Sequence, residues 1–249
     1  MNGMTLVLVL VLSMMVLTAV LGWLMRQPVF NLQVIRIETE LGHNNAVTLR
    51  ANVAPKLVGN FFTMDLARTR SAFESVPWVR QALVKREFPN ALRVSMQEHE
   101  AVAFWGAPDE SRLINTFGEV FEVNQGDVEA NELPVLKGPQ GQAALVLKAY
   151  RLLVPLFELL DGSLTQLELT GKGSWRARLE SGATVEMGQG SPEEIKTRTE
   201  RFVATVAQTS SKFGRNLESA DLRYPNGYAL RLRGVTTGGS GGKQDRKQG

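Results

Sequence analysis

The 249-residue sequence contains no cysteine and only two histidines, His43 and His99. The missing thiols exclude disulfides, thiolate catalysis and cysteine-ligated metals, although they indicate no particular compartment. Because neither histidine lies beside a nucleophile motif, a Ser-His-Asp catalytic set has little support. His99 stands between Glu98 and Glu100, but successive strand residues point to opposite faces, so no metal site is expected there.

Charge of one sign is not concentrated in any folded segment. Lys and Arg number 28 against 25 Asp and Glu, and the net charge of +3 is spread along the chain apart from a small basic cluster in the tail. Nucleic-acid-binding proteins usually carry a dense basic patch with interleaved aromatics, so no nucleic-acid partner is expected. The run GGSGG lacks the lysine and the strand-to-helix context of a phosphate loop and is typical of a linker. We therefore expect no cofactor, no metal and no small-molecule substrate.

The longest apolar run lies at the N-terminus. From Met4 to Met25 there are 22 residues without a charge. As a helix this segment would be about 33 Å long, enough to cross a bilayer core of about 30 Å. Trp23 lies where an aromatic residue would meet the membrane interface. The sequence predicts an uncleaved transmembrane anchor over residues 4–25, preceded by a very short N-terminus, residues 1–3.

A cleaved signal peptide is the alternative for the same run. The stretch LTAVLG offers small residues to a signal peptidase. Against cleavage, the basic n-region is missing and the apolar run exceeds the usual length of about 7–15 residues. The charges leave the orientation open: no Lys or Arg precedes the run and Arg26 follows it, which opposes the positive-inside rule, yet long folded segments translocate largely regardless of charge.

Residues 30–99 show the order strand, helix, helix, strand, strand, which is a compact α+β module. The predicted elements are an irregular strand in FNLQVIRIETE, a short helix capped by Asn44 or Asn45 and closed by Pro55, a helix capped by Thr63 and stopped by Pro77, and the strands Val79–Phe88 and Ala91–Glu98. Phe61 and Phe62 are expected to be core residues that seat the second helix on the sheet, with a partner groove as the alternative.

The remaining chain predicts a β-rich domain with two helices, so the fold class is α+β. The predicted elements are short strands in AVAFWG and RLINTFGEVFEV with a turn at Gly118, a loop in LPVLKGPQG, a helix over 142–160 that contains Pro155, the strands Leu164–Leu169, Ser174–Leu179 and Thr184–Met187, and a helix that starts at Ser191-Pro192 and ends near Gly214. Residues 236–249 are predicted to be a flexible Gly/Ser-rich tail.

The stretch ADLRYPNGYALRL predicts a hairpin that ends the folded domain. Tyr228, Leu230 and Leu232 alternate with polar residues, and no later strand could cover the outer edge. One explanation is an ordinary edge hairpin whose arginines discourage aggregation. The other is β-augmentation, in which a partner segment adds a strand to the open edge. The pattern by itself favours neither explanation.

Four stretches follow the apolar run in a fixed order: FFTMDLARTRSAFESVPWVRQALVKREFPNALRVSMQEHEAVAFW, LINTFGEVFE, LPVLKGPQG and SADLRYPNGYALRL. In this order, behind a single anchor, they resemble the FtsQ/DivIB family of bacterial cell-division proteins. The likeness covers roughly residues 4–235.

The resemblance implies a single-pass inner-membrane protein with a cytoplasmic N-terminus, periplasmic domains and a position at the division septum. Residues 30–99 would form a POTRA domain and residues 100–235 the β domain of the family. The implied role is not enzymatic: an essential divisome scaffold that binds and recruits FtsB and FtsL, with FtsW and FtsI nearby. Only residues 1–3 precede the anchor, fewer than in many relatives, so we expect no cytoplasmic contact from that tail.

The resemblance also favours partner binding at the hairpin, because proteins of this family use the terminal strand region to bind FtsB. Arg223 and Tyr224 match an Arg-Tyr pair of the family, and Gly227 matches a nearby glycine. The expected partner-binding residues are Arg223, Tyr224, Asn226, Gly227, Tyr228, Ala229, Leu230 and Lys172. Relatives carry a basic residue at the position of Lys172, for which a solvated turn lysine is the alternative.

Two other functions remain as alternatives. A membrane-anchored periplasmic cell-wall enzyme would need paired carboxylates or a nucleophile in a cleft, and the acidic residues show no evident pairing. A POTRA-containing outer-membrane assembly factor usually couples several POTRA modules to a β-barrel. Residues 100–235, with two helices, are too few and of the wrong pattern for such a barrel.

Overall fold

The computed structural model describes residues 3–39, 42–43, 46–124, 126–128, 133–160, 162–213, 217–224 and 227–233. The predicted caps Asn44 and Asn45, the predicted helix end at Gly214 and the predicted tail lie outside these residues. The chain divides into two compact units, Met1–Glu100 and Ala101–Gly249. Both units mix helices with strands, which confirms the α+β class.

The first element, α1 (Gly3–Met25), is an exposed helix of 23 residues with none of them buried. Among the described residues it is the one helix long and apolar enough to cross a membrane. A helix that is apolar on every side and that none of the described residues buries needs an apolar solvent. The helix indicates a single-pass membrane protein.

The rest of the first unit is a three-stranded sheet covered by two helices. Its elements are β1 (Val34–Ile37), α2 (Ala46–Val53), α3 (Leu66–Glu74), β2 (Val79–Glu87) and β3 (Ala91–Glu98). The strand order is β1-β3-β2, with β1 parallel and β2 antiparallel to β3. Leu49, Phe73 and Leu92 are almost completely buried in the core that the helices and the sheet share. The predicted order of elements is confirmed.

Two details of this unit differ from the sequence-based expectation. The first strand begins at Val34, not at Phe30, because Pro28–Phe30 form a turn of 3₁₀ helix. The N-cap of α3 is Asp65, not Thr63: its Oδ1 accepts hydrogen bonds from the backbone nitrogens of Ala67 (2.9 Å) and Arg68 (3.2 Å). A carboxylate at this position also complements the positive end of the helix dipole.

The expectation that Phe61 and Phe62 are core residues is wrong. Phe62 is 41% exposed and Phe61 is half-buried, and neither belongs to the core beneath the helices. Their rings instead contact each other, with centroids 5.1 Å apart, and the rings of Phe30 and Phe88. The two residues precede α3 in a turn, so the apolar face of the helix does not determine where they point.

The second unit is built on a nine-stranded sheet in the order β12-β11-β10-β9-β8-β7-β4-β5-β6. Its elements are β4 (Ala101–Trp105), β5 (Arg112–Asn115), β6 (Val120–Glu122), β7 (Val135–Lys137), α4 (Ala143–Glu158), β8 (Leu164–Leu169), β9 (Ser174–Leu179), β10 (Thr184–Gln189), α5 (Pro192–Phe213), β11 (Leu217–Asp221) and β12 (Ala229–Leu232). Helices α4 and α5 bury Leu153, Phe157 and Phe202 in the shared core.

The prediction of a loop in LPVLKGPQG is wrong, because β7 lies in the middle of this sheet. It pairs in parallel with β4 on one side and β8 on the other, and Leu136 is fully buried. A strand of three residues between proline and glycine shows too little periodicity to be distinguished from a loop. Its pairing with distant strands is what makes it a strand.

The start of α5 forms as predicted. The backbone nitrogen of Glu194 donates to Ser191 Oγ (3.3 Å), and the backbone nitrogen of Ser191 donates to Glu194 Oε2 (2.8 Å). This reciprocal pair is a capping box, and it satisfies two donors that the helix itself cannot. The helix therefore starts at Pro192 because of local sequence alone.

Gly118 gives a first prediction, for stability. Its φ is +83° in the turn between β5 and β6, and a Cβ there would lie 2.7 Å from the Ala144 Cα of α4. In Gly118→Ala, the left-handed backbone conformation alone should lower the free energy of unfolding by roughly 1–2 kcal/mol. The overlap of the new Cβ with the backbone of Ala144 should lower it further. Gly173→Ala is the matched control, with φ +79° and nothing within 4 Å of the added Cβ. Equal midpoints of urea unfolding for the two variants would contradict the prediction.

Candidate partner-binding edge

The last strand, β12, lies at one end of the nine-stranded sheet. It pairs antiparallel with β11, with Ala229 opposite Asp221 and Leu232 opposite Leu217. Within the described residues no strand pairs with its outer side. The N–H and C=O groups that point outward from such a strand can accept another chain.

The side chains of β12 alternate as the sequence predicts. Leu230 and Leu232 are half-buried, whereas Ala229 and Arg231 are exposed. Tyr228, just before the strand, packs edge-to-face with Phe202 of α5, with ring centroids 5.4 Å apart. Tyr228 and Leu230 both pack against the core and hold the strand in place on its inner face, and no described strand covers its outer edge.

The predicted hairpin is present: β11 and β12 pair antiparallel, and seven residues connect them. Strand β11 ends at Asp221, and Leu222 is buried, with its nitrogen donating to Glu186 O at 2.8 Å. Tyr224 does not share the environment of Leu222, since its side chain is 57% exposed. The next glycine, Gly227, is also exposed. Asn226 lies outside the described residues.

Arg223 is held in one orientation by Asp221. Its Nε donates to Asp221 Oδ1 at 2.8 Å and its Nη2 to Asp221 Oδ2 at 2.6 Å, a bidentate pair. The hydrogen bonds from the guanidinium lower the pKa of Asp221, and Asp221 in turn raises the pKa of Arg223. The aliphatic part of Arg223 lies over Gly188, where an added Cβ would be 3.1 Å from Arg223 Cγ. The cation is therefore exposed but oriented.

Lys172 lies in the exposed turn between β8 and β9. Its carbonyl oxygen accepts a hydrogen bond from Gln189 Nε2 at 2.7 Å, and Gln189 ends β10 directly after Gly188. Since Arg223 packs on Gly188, the two cations lie at the same end of the sheet. The start of β12 lies there too, because Ala229 is opposite Asp221.

The structure therefore brings the described members of the predicted set to one end of the sheet, and it adds residues that sequence reasoning missed. Asp221 orients Arg223, Gly188 leaves room for it, and Phe202 supports Tyr228. Arg198 of α5 donates to the carbonyls of Met187 and Gln189 and holds the end of β10. Only Asp221 had a signal in the sequence: an acid two residues before an arginine lies on the same face of an extended chain.

Glu98, one of the two acids beside His99, holds a loop of the first unit. Glu98 Oε2 accepts hydrogen bonds from the backbone nitrogens of Gly42 (2.8 Å) and His43 (3.2 Å). His43, which the sequence places far from Glu98, has its Nδ1 3.6 Å from this oxygen and stacks on Trp78. In the part of the chain that the structure describes, no cluster of three His, Asp or Glu side chains could hold a metal ion.

Known proteins share both units. Residues 26–99 match the family model described as POTRA domain, FtsQ-type, and residues 103–223 match the model described as cell division protein FtsQ/DivIB, C-terminal. A cell division protein FtsQ of Burkholderia pseudomallei (strain K96243) is 40% identical over 214 residues, which are 86% of this chain and 84% of that protein. The chain belongs to the FtsQ/DivIB family.

Other members of the FtsQ/DivIB family match over a similar extent. An FtsQ of Bordetella pertussis (strain Tohama I) is 38% identical over 242 residues, covering 90% of this chain and 87% of its own. An FtsQ of Thiomonas arsenitoxydans is 37% identical over 216 residues. The part of the first unit that follows α1 is thus an FtsQ-type POTRA domain, and the second unit contains the FtsQ C-terminal domain. The match to the C-terminal family model ends at Arg223, before β12 begins at Ala229.

Proposed function

We propose that this FtsQ-family protein is a single-pass inner-membrane scaffold of the divisome that binds and recruits FtsB and FtsL at the septum. The N-terminus would be cytoplasmic, and the POTRA domain (30–99) and β domain (100–235) periplasmic, with FtsW and FtsI nearby. The proposed role is to hold partners and involves no catalysis. The observation that carries it is the position of β12 at the end of the sheet, with no strand on its outer side among the described residues.

Strand addition suits this edge for a physical reason. A partner strand would take its affinity from main-chain hydrogen bonds and its specificity from alternate side chains. The contacts of Tyr228 with Phe202 and of Leu230 with the core already hold β12 in an extended conformation. A partner would therefore not have to bear the entropic cost of ordering the edge.

The charges near the edge favour an acidic residue on the partner. Arg223 and Lys172 lie at the end of the sheet where β12 begins, and Asp221 aims the guanidinium without burying it. A carboxylate that approaches this end of the sheet would be attracted by both cations. Such pairs fix the register of a bound strand and speed association more than they add affinity.

Proline substitutions on β12 test the proposal. Along an antiparallel strand the N–H groups point alternately to one neighbour and to the other. Ala229 and Leu230 are neighbours, so their N–H groups point to opposite sides of β12. One of the variants Ala229→Pro and Leu230→Pro therefore loses a hydrogen bond to β11, and the other loses an N–H that points outward. The variant that loses the outward N–H should unfold at the same urea concentration as the parent. It should bind a periplasmic FtsB segment about tenfold more weakly, measured by calorimetry, because one intermolecular hydrogen bond is lost.

The control is a chain that ends at Thr236, which removes only the Gly/Ser-rich segment and should bind like the parent. Circular dichroism of each full-length variant shows whether it is folded. If both proline variants fold and bind the FtsB segment as tightly as the parent, strand addition at β12 is wrong.

A further inference from the structure

Four phenylalanines of the POTRA domain form a cluster outside its core. Phe30, Phe61, Phe62 and Phe88, here called the aromatic cluster, have ring centroids 4.8 Å (Phe30–Phe62), 5.1 Å (Phe61–Phe62), 5.8 Å (Phe61–Phe88) and 6.3 Å (Phe30–Phe88) apart. Three of the four contacts are edge-to-face or nearly so, a favourable arrangement for aromatic rings. The four rings therefore support one another in defined positions.

The aromatic cluster is joined to the end of α1. Asn60 Nδ2 donates to the carbonyl oxygen of Met25, the last residue of the helix, at 2.6 Å. Asn60 Oδ1 accepts from the backbone nitrogen of Phe62 at 3.0 Å, and the nitrogen of Phe61 donates to Phe30 O at 2.9 Å. These bonds hold the rings beside the helix end.

Part of this surface is exposed and wholly apolar. Phe88 is 72% exposed, and Phe62, Val29 and Val58 are also exposed. Val29 precedes Phe30 in the chain and Val58 lies two residues before Asn60, and exposed apolar side chains grouped in this way on a folded domain often mark an interaction site.

The position of the aromatic cluster beside the end of α1 indicates its depth relative to a bilayer. A helix of 23 residues is about 35 Å long, which exceeds a bilayer core of about 30 Å, so the last residue of a membrane-crossing α1 would reach the headgroup layer. That layer is about 5–8 Å thick on each side. Phe61 and Phe62 follow Asn60 by one and two residues, so their Cα atoms lie at most about 8 Å from that of Asn60. With α1 across the bilayer, the aromatic cluster would lie at about headgroup depth.

We propose that the aromatic cluster, with Val29 and Val58, is a second membrane contact that inserts into the headgroup region of the leaflet where α1 ends. This inference rests on α1 crossing the membrane, as in the proposed function. Aromatic and aliphatic side chains are favoured at this depth, and the exposed Arg26 adds a cation for lipid phosphates. The contact fixes the height of the POTRA domain above the bilayer.

Single labels test the contact, and the absence of native cysteine makes them specific. The full chain, one copy per phosphatidylethanolamine–phosphatidylglycerol nanodisc, would carry an environment-sensitive dye on Phe88→Cys, Leu83→Cys or Trp23→Cys. Leu83 is the matched control, an apolar residue 55% exposed on β2, the strand that leads to Phe88. We expect blue-shifted emission and quenching by lipids brominated high in the acyl chain at position 88, and neither at position 83.

The label on Trp23→Cys separates this inference from the proposed function. Quenching at position 23 with no difference between positions 88 and 83 would leave the anchor in place and overturn the second contact. An aromatic cluster that covers another protein would give this same result, since the nanodisc contains none. No quenching at position 23 would overturn the membrane anchor and the inference with it. Phe62→Cys repeats the test should the Phe88 variant fail to fold.

Discussion

Replacing Tyr224 by alanine is expected to weaken binding of the periplasmic FtsB segment about thirtyfold, equivalent to about 2 kcal/mol for a tyrosine at the centre of an interface. The ring is exposed in the unbound chain and follows Arg223, whose orientation Asp221 sets. A rigid aromatic side chain beside an open strand offers a partner a large contact with little entropy to lose. Calorimetry on the full chain in nanodiscs measures the loss.

Phe117→Ala is the control for this prediction. Phe117 is 59% exposed, against 57% for Tyr224, but it lies in the turn between β5 and β6, at the other end of the strand order. The Phe117→Ala variant should bind the FtsB segment with the affinity of the parent. A folded Tyr224→Ala variant with the affinity of Phe117→Ala would show that the ring is not part of the interface. Tyr224→Phe then separates the ring from its hydroxyl.

Replacing Trp175 by alanine is expected to lower the free energy of unfolding of the C-terminal domain by about 3–5 kcal/mol. Trp175, on β9, is 1% exposed, and its Nε1 donates to Gly190 O at 2.9 Å. The substitution would leave a cavity in the core beneath the helices and an unpaired carbonyl in the turn that leads to α5. The urea unfolding transition of this domain measures the loss.

Trp175→Phe divides this loss into its parts. It keeps most of the buried ring and removes the bond to Gly190, which is worth about 0.5–1.5 kcal/mol. Its midpoint should therefore lie between those of the parent and the alanine variant. If the two variants unfold at the same urea concentration, packing of the indole contributes nothing beyond its hydrogen bond, and the cavity argument is wrong.

The elements that could be predicted from the sequence have local causes. The span α1 follows from 22 uncharged residues, the start of α5 from its capping box, and the hairpin of β2 and β3 from two alternating runs around Pro89-Asn90. The strand β7 could not be predicted, because only its neighbours β4 and β8 make it a strand. The positions of Phe61 and Phe62 likewise depended on distant rings.

Part of the candidate site could likewise be predicted from the sequence, and part could not. Alternation along β12 was visible in the sequence, and a resemblance to a family pointed to Arg223, Tyr224 and Lys172. Sequence reasoning did not show that Lys172 and Arg223 lie at the same end of the sheet. Their placement depends on β10, where Gln189 bonds the backbone of Lys172 and Gly188 contacts Arg223. Sequence reasoning also missed Asp221 as the residue that aims Arg223.

By itself the sequence determined an apolar anchor, the order of the elements of the POTRA domain and a last strand with one apolar face, because helix length, capping and period-two alternation are properties of neighbouring residues. Only the tertiary structure decided that β12 ends a nine-stranded sheet and that an aromatic cluster lies beside the end of α1. Both depend on contacts between residues far apart in the chain. Such contacts form where burial and hydrogen bonding outweigh the entropy of closing the loops between them, and that balance is set by the whole fold.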